Sequence, residues 1–497
     1  MTPDDPGHAV PPGRDGNQCG FTRGWEPRRG AQPTLAEQLS AHIGGLIRNQ
    51  GLRPGMRLPS VRVMAGASGM SRCTVVQAYG LLEAQGLIWS RRGAGFFVCA
   101  RPAAAQGQRE AGSGCAVPAV FDAAFLLRSM FSGPWHGGHP AGAGLLPPAW
   151  LDLEMLGSAI RRVGRTAGSS LLSYGTPLGY RPLRQQIATL LQAQDVPAHP
   201  DLHLMTVAGV TQGLDLLVRK LLRPGDAVLV EDPGWFLVHG LLKAQGMQVI
   251  GVPRRQDGPD CTALAQLAER HRPRLFIVNS AVHNPTGFTL SAGVAHEVLR
   301  IAECFDFLLA EDDTFADFHP GMPVRLAALD RLRRVLLIGG YSKTLGGSLR
   351  VGYVAGRPDL IRRLVDGKLL GGPTSPELGE QVVHRILADG EYRRHVGRLR
   401  ERINQACGRC IEGLVQLGCE VPHPPHAGMF VWADCGRDSQ QLAADAVARG
   451  LLLAPGVLFS PQPEPSRMLR VPVSMVDDAA AWALLAQSLG GGPRAKA

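Results

Sequence analysis

Two hydrophobic patterns divide the chain. From residue 34 to about 84, apolar positions recur every three or four residues, as on helices that bury one face. Thr34-Leu-Ala-Glu37 is a capping box, and it opens a helix with Leu39, Ile43 and Ile47 on one side. Gly51 and Pro54-Gly55 close that helix. Ser60 caps a short second helix containing Val61, Arg62 and Met64, and Gly69 turns the chain. Ser71 caps a third helix, Arg72 to Leu82, with Val75, Ala78, Leu81 and Leu82 facing inward. Leu87–Ser90 and Gly95–Val98 then read as two strands joined by Arg91-Arg92-Gly93-Ala94. Beyond residue 119 the pattern changes. Helical stretches alternate with short apolar runs: Leu204–Val207, Ala227–Val230, Gln248–Val252, Leu275–Asn279, Phe307–Ala310 and Leu336–Ile338. Such alternation marks an α/β domain with a mostly parallel sheet.

Three helices followed by a hairpin describe a winged helix-turn-helix over residues 34–101. Charge sharpens that reading. The segment carries eight arginines, no lysine and two acids, a net +6 out of +10 for all 497 residues. Arg72 and Thr74 sit in the first turn of the third helix, where a recognition helix meets base edges and phosphates. Arg91 and Arg92 at the hairpin tip are placed to reach phosphates or a minor groove. Residues 102–118 have no apolar period and are rich in Gly, Ala and Pro, as in a flexible tether. Residues 1–33 are rich in Pro, Gly and charge, lack an apolar signal segment, and read as a disordered tail. The ten cysteines follow no framework spacing, which points to reduced thiols in a cytoplasm. The closest pair, Cys407-Gly-Arg-Cys410, lies in an Arg-rich helical pattern without a second pair, so no metal site is expected.

In the large domain the candidate chemistry falls at or just after strand ends, where ligands of open α/β sheets bind. The apolar run Val335 to Ile338 delivers Ser342 and Lys343 into a glycine-rich loop. A lysine at the end of a buried strand is costly unless its amine is neutralised or bonded. An imine to the aldehyde of pyridoxal 5'-phosphate (PLP) meets that need. Arg350, seven residues on, is suited to grip a phosphate. Gly209 and Thr211 begin a helix directly after a strand, where free N–H groups and the helix dipole favour an anion. Trp235 follows the next strand, with an indole able to stack on a flat ring. Asn284, in a rigid Asn-Pro-Thr-Gly turn, offers an amide to a phenolic oxygen. Asp312 stands among three acids, which call for a cation or a protonated pyridine nitrogen. Arg470 suits a carboxylate. Tyr174 lies in a glycine-marked turn that feeds a helix. Taken singly, each of these is ordinary.

Their order is not. It resembles that of the fold type I aminotransferases across most of residues 140 to 490. The resemblance implies a PLP domain with a smaller C-terminal subdomain, in which Lys343 forms the internal aldimine and Asp312 keeps the ring nitrogen protonated. Trp235 would stack on the ring and Asn284 would bond the ring oxygen. Arg350 would hold the phosphate beside Gly209 and Thr211, Ser342 would also bind the cofactor, and Arg470 would take a substrate carboxylate. Tyr174 would reach the phosphate of a neighbouring subunit, implying a homodimer. Three departures matter: Thr314 and Phe315 stand where a tyrosine is usual, Gly340 where a serine or threonine is, and Val210 where a polar residue is. Each removes a cofactor hydrogen bond worth about 0.5–1.5 kcal/mol.

The first domain resembles the GntR superfamily through Leu58-Pro-Ser-Val-Arg62, Ser71-Arg-Cys-Thr-Val75, Ala78-Tyr79 and Gly93-Ala-Gly-Phe-Phe-Val98. That likeness implies DNA contacts from Arg62, Ser71, Arg72, Thr74 and Gly93. Head, linker and a body from 119 to 497 together resemble the MocR subfamily of bacterial regulators. The expectation is a cytoplasmic, dimeric, DNA-binding regulator that senses PLP, or an amino acid or amine, through an aldimine. The rival is a working aminotransferase with an accessory DNA-binding domain.

Overall fold

The computed structural model describes residues 25, 27, 33–48, 52, 55–91, 94–99, 123–131 and 138–490. The expected tether at 102–118, most of the expected tail, and Arg92 and Gly93 lie outside the described residues. The chain separates into two compact units, Met1–Ser113 and Gly114–Ala497.

The first unit runs α1 (Leu35–Arg48), α2 (Val61–Ser68), α3 (Arg72–Ala84), β1 (Ile88–Arg91) and β2 (Gly95–Val98). Its caps follow the sequence. Thr34 N donates to Glu37 Oε2 at 2.8 Å, Val63 N to Ser60 Oγ at 3.3 Å, and Thr74 N to Ser71 Oγ at 3.1 Å. The hairpin is antiparallel, pairing Ile88 with Val98 and Arg91 with Gly95. Glu83 ties it to α3, accepting from Ser90 N and Oγ at 3.1 and 2.7 Å. Leu39, Ile43, Met64, Val75, Ala78, Tyr79, Leu82 and Ile88 form the core. Two expectations need correction. Leu81 is only half-buried, because Val75, Ala78, Tyr79 and Leu82 occupy the inward stripe and Leu81 falls beside it. Trp25, in the expected disordered tail, stacks on His42 with ring centroids 4.9 Å apart and packs on the core.

In the second unit the first half comprises α4 (Ala123–Phe131), α5 (Leu153–Thr166), α6 (Arg181–Gln192), β3 (Leu204–Val207), α7 (Val210–Leu221), β4 (Ala227–Asp232) and α8 (Phe236–Ala244). There follow β5 (Gln248–Arg255), β6 (Gly258–Pro259), α9 (Cys261–His271), β7 (Leu275–Val278), α10 (Ala292–Cys304), β8 (Leu308–Asp312), α11 (Leu326–Asp330), β9 (Val335–Gly340) and β10 (Gly352–Ala355). The remainder is α12 (Pro358–Gly371), α13 (Glu377–Ala388), α14 (Glu391–Gln416), β11 (Phe430–Asp434), α15 (Ser439–Ala448), β12 (Ala454–Pro455), β13 (Met468–Pro472) and α16 (Ala479–Leu489).

The main sheet has the order β3-β10-β9-β8-β7-β4-β5-β6. Strands β5, β4, β7, β8 and β9 are parallel, while β10 runs against both β9 and β3. Alternate residues enter opposite cores: Leu309, Leu337 and Tyr353 on one face, Ala310, Leu336 and Val354 on the other. Burial on both faces is why these strands appear as unbroken apolar runs. A smaller antiparallel sheet, β11-β13-β12, shares a third core with α14 to α16. Cys407 and Cys410 are buried in that core within α14.

Candidate functional site

The carboxyl ends of β4, β7, β8 and β9 converge on one region. Asp312 ends β8 and is paired in register with Ile338 of β9; Lys343 follows β9 by three residues. Lys343 Nζ donates to Gly144 O at 3.0 Å and stands 5.9 Å from the centre of the Phe315 ring. Burial, then the positive charge of Arg470, lowers its pKa to about 8, with Asp312 pulling the other way. Asp312 is buried, and burial raises its pKa against two hydrogen bonds from Thr314. Those come from Thr314 N at 3.0 Å and Thr314 Oγ1 at 2.5 Å, both to Oδ1.

Arg470 lies in β13, 3% exposed, with its guanidinium 4.3 Å from the Phe430 ring centre and 5.0 Å from that of Phe459. Its Nη1 donates to Asn284 Oδ1 at 3.0 Å and its Nη2 to Gly142 O at 2.7 Å, while Nε has no partner. Burial lowers its pKa to about 9. Trp235, Asn284 and Asp312 line one small cavity. The structure thus brings Lys343, Asp312, Asn284, Trp235 and Arg470 together from five separate segments.

One organising residue escaped the sequence reading. Asn279, just past β7, donates through Nδ2 to Asp312 O at 2.8 Å and accepts from Asn284 N through Oδ1 at 2.9 Å. Its own N–H is held at 2.8 Å by Glu231, which is itself buried against Arg254. Asn279 therefore fixes the two loops that present Asp312 and Asn284. The only sequence signal was a polar residue closing an apolar run.

The candidate anion cradle is formed by the start of α7 and Arg350. Gly209 has φ +87°, and a Cβ there would come within 2.7 Å of Arg350 Nη2. That nitrogen donates to Ala208 O at 2.7 Å. Arg350 itself is in the left-handed region at φ +53°. Thr211 lies in the first turn of α7, and Ser342 is half-buried in the loop before Lys343. Two departures prove to be one packing event: a Cβ at Gly340 would meet Val210 Cγ2 at 3.3 Å and Val351 O at 3.2 Å. Tyr174 is 89% exposed. Its loop is anchored by Lys368, which donates to Pro177 O and Thr206 O at 3.0 and 2.9 Å, and by Glu380, which accepts from Tyr180 N at 2.6 Å.

In the first unit Arg62, Arg72 and Arg91 are exposed. Ser71 and Thr74 share a 2.7 Å hydrogen bond at the start of α3, and Tyr79 OH donates to Pro59 O at 2.9 Å, bracing α3 against the entry to α2. The hairpin tip residues Arg92 and Gly93 lie outside the described residues.

Residues 141–485 match the family Aminotransferase class I and II. The chain belongs to that family. Residues 35–98 match a second family, Bacterial regulatory proteins, gntR family. The chain is similar along most of its length to an uncharacterized HTH-type transcriptional regulator, YdcR, of Escherichia coli, with 27% identity over 88% of this chain and 93% of the relative. It is also 27% identical to the probable rhizopine catabolism regulatory protein MocR of Rhizobium meliloti, over 75% of each chain. Among solved structures, the α-aminoadipate aminotransferase LysN of Thermus thermophilus, complexed with N-(5'-phosphopyridoxyl)-L-leucine, superposes with a TM-score of 0.67 at 25% identity, covering 76% of this chain and 96% of that one. A gntR-type head on an aminotransferase body is the MocR arrangement, and the cofactor of this family fold is pyridoxal phosphate. The residues present fit that group: a lysine with a depressed pKa, an unpartnered Arg470 Nε, and a cradle at Gly209 that a Cβ would fill.

Proposed function

We propose that the protein is a PLP-binding transcriptional regulator. Its head binds a double-stranded DNA operator, and its body senses PLP, or an amino acid or amine that reacts with it. It works as a homodimer in the cytoplasm. The observation that carries this reading is the convergence of Lys343, Asp312, Asn284 and Arg470 in a chain that also has a gntR-family head. Lys343, Asp312, Asn284, Trp235, Arg350, Ser342, Gly209 and Thr211 would hold the cofactor, with Tyr174 reaching the site of a second copy.

PLP supplies an aldehyde and an electron-withdrawing ring. The chain's own residues do the rest. With its pKa lowered to about 8, Lys343 Nζ is neutral in about a tenth of the molecules at pH 7, far more than an ordinary lysine, and the neutral amine is the form that would hold an aldehyde. Asp312, fixed by Thr314 and Asn279, presents one oriented carboxyl group. Arg470 Nε is the free donor for a ligand carboxylate. A working aminotransferase is disfavoured because the Thr314 hydroxyl is already bonded to Asp312 and Phe315 packs against Phe430. Neither side chain offers a free hydroxyl beside the cofactor.

A ligand shifts an equilibrium only through differential affinity for its states. The test is therefore a titration of the DNA upstream of the reading frame, with and without PLP at fixed salt, for wild type and Lys343→Ala. Wild type should respond to PLP, whereas the variant should bind DNA without the response. An identical response from both would overturn the reading.

A further inference from the structure

Beside the Lys343 loop, a second cavity of ≈ 390 Å³ opens between α6, the ends of β8 and β9, and α14. It includes none of the residues assigned to the cofactor. Tyr341 and Tyr353, 6% and 8% exposed, line it, and among the described residues neither hydroxyl has a hydrogen-bond partner. Arg325, 5% exposed, bonds Asp313 through Nε at 3.0 Å, which leaves both Nη groups without partners. Asp317 accepts from Tyr392 OH through Oδ2, leaving Oδ1 open. Leu190 and Leu191 of α6 and Val396 of α14 add an aliphatic part to the lining.

These four groups face the open volume of the cavity, where water or a ligand can pair with them, and a single ligand that meets all four is the one the lining would hold best. A simple anion would satisfy Arg325, with Arg393 and Arg400 also on the lining, but would leave Asp313 and Asp317 facing a like charge. A simple amine would satisfy Asp317 but leave the Arg325 fork empty. A molecule with both charges and a short aliphatic part satisfies every group.

We propose that this cavity is a second ligand site for a small aliphatic amino acid, bound as its zwitterion. The carboxylate lies on the Arg325 Nη groups, as guanidinium geometry favours. The ammonium lies against Asp317 Oδ1 and the two phenols, and the side chain runs along Leu190, Leu191 and Val396. Its occupancy bears on the cofactor site. Tyr392 OH, on the cavity wall, also bonds Thr344 Oγ1 at 3.0 Å, and His395 Nε2 bonds Thr344 O at 2.7 Å, so the wall grips the residue after Lys343. The site stands independently of the regulatory role proposed above.

The test uses full-length, PLP-loaded protein reduced with borohydride, which fixes the cofactor on Lys343 and prevents added amines from reacting there. L-leucine, L-valine and 5-aminopentanoate are titrated in turn by calorimetry. At least one should bind once per chain, and Tyr353→Phe should weaken it about fivefold to tenfold, the loss of one hydrogen bond. Leu190→Trp, which fills the cavity, should abolish binding while the visible cofactor band before reduction stays unchanged. 4-Methylpentanoate and isopentylamine, each lacking one charge, should bind at least about tenfold more weakly than leucine. No heat from any of the three amino acids, or binding that both substitutions leave intact, would overturn the proposal.

Discussion

The pair Thr314 and Asp312 shows how one side chain redefines another. Where a tyrosine hydroxyl is usual near the cofactor, the shorter threonine turns back and donates to Asp312 Oδ1. Thr314→Val keeps the shape and removes that donor, so the Asp312 carboxyl should protonate more readily. PLP affinity, read from the visible band at equilibrium, should fall about tenfold, as expected for a hydrogen bond to a charged group. Wild type offered amino and keto acids should turn over at well below the ~1 s⁻¹ ordinary for enzymes, and sustained faster turnover would restore the aminotransferase reading. Lys343 gives a pH prediction. Burial and Arg470 lower its pKa to about 8, so its amine becomes neutral as pH rises through that value. PLP uptake by apo protein should therefore accelerate with pH and level off above about 8. Arg470→Met removes a positive neighbour and should move the midpoint to higher pH, which a rapid-mixing absorbance series would measure.

Among the elements, α3 has two duties at its first turn. Ser71 caps the helix through Thr74 N, and it occupies the exposed end proposed to meet DNA. Ser71→Ala should cost the head about 1 kcal/mol, the usual loss of a cap. Ser71→Asp should keep the cap and add a negative charge facing phosphates. Denaturant melts and operator titrations of the two variants separate the duties: the aspartate should retain stability but lose more affinity than the alanine. Arg72→Ala should leave the fold untouched, because the side chain is exposed. If it reads a guanine, specific binding should weaken by about 1–3 kcal/mol, with one base position relaxed. Caps and apolar stripes are local, so α1 to α3 were legible from spacing alone. Strands β10 to β13 were not. Gly352–Ala355 is short and enters the sheet antiparallel between β9 and β3, a pairing decided by residues some 150 positions apart.

At the scale of the whole molecule, head and body have separate cores, one around Tyr79 and the others around the eight-stranded sheet and the C-terminal layer. A ligand that binds only the native body stabilises only the body. Calorimetry should resolve two unfolding transitions, of which PLP raises one. Lys343→Ala should remove that increase and leave the head's transition in place. A single transition that moves as a whole with PLP would mean the two units unfold together.

The sequence alone determined the three helices and hairpin of the head, its charge, the parallel strands of the body, and the residue types at their ends. Fully buried parallel strands must be apolar throughout, and functional groups must follow them, so both patterns survive in one dimension. Tertiary structure decided the pairings. That Asn279 fixes both Asp312 and Asn284, that Val210 fills the space beside Gly340, and that Arg470 meets Asn284 from 186 residues away depend on how strands stack and loops fold back. Such contacts are set by distance in space, and no local period records them.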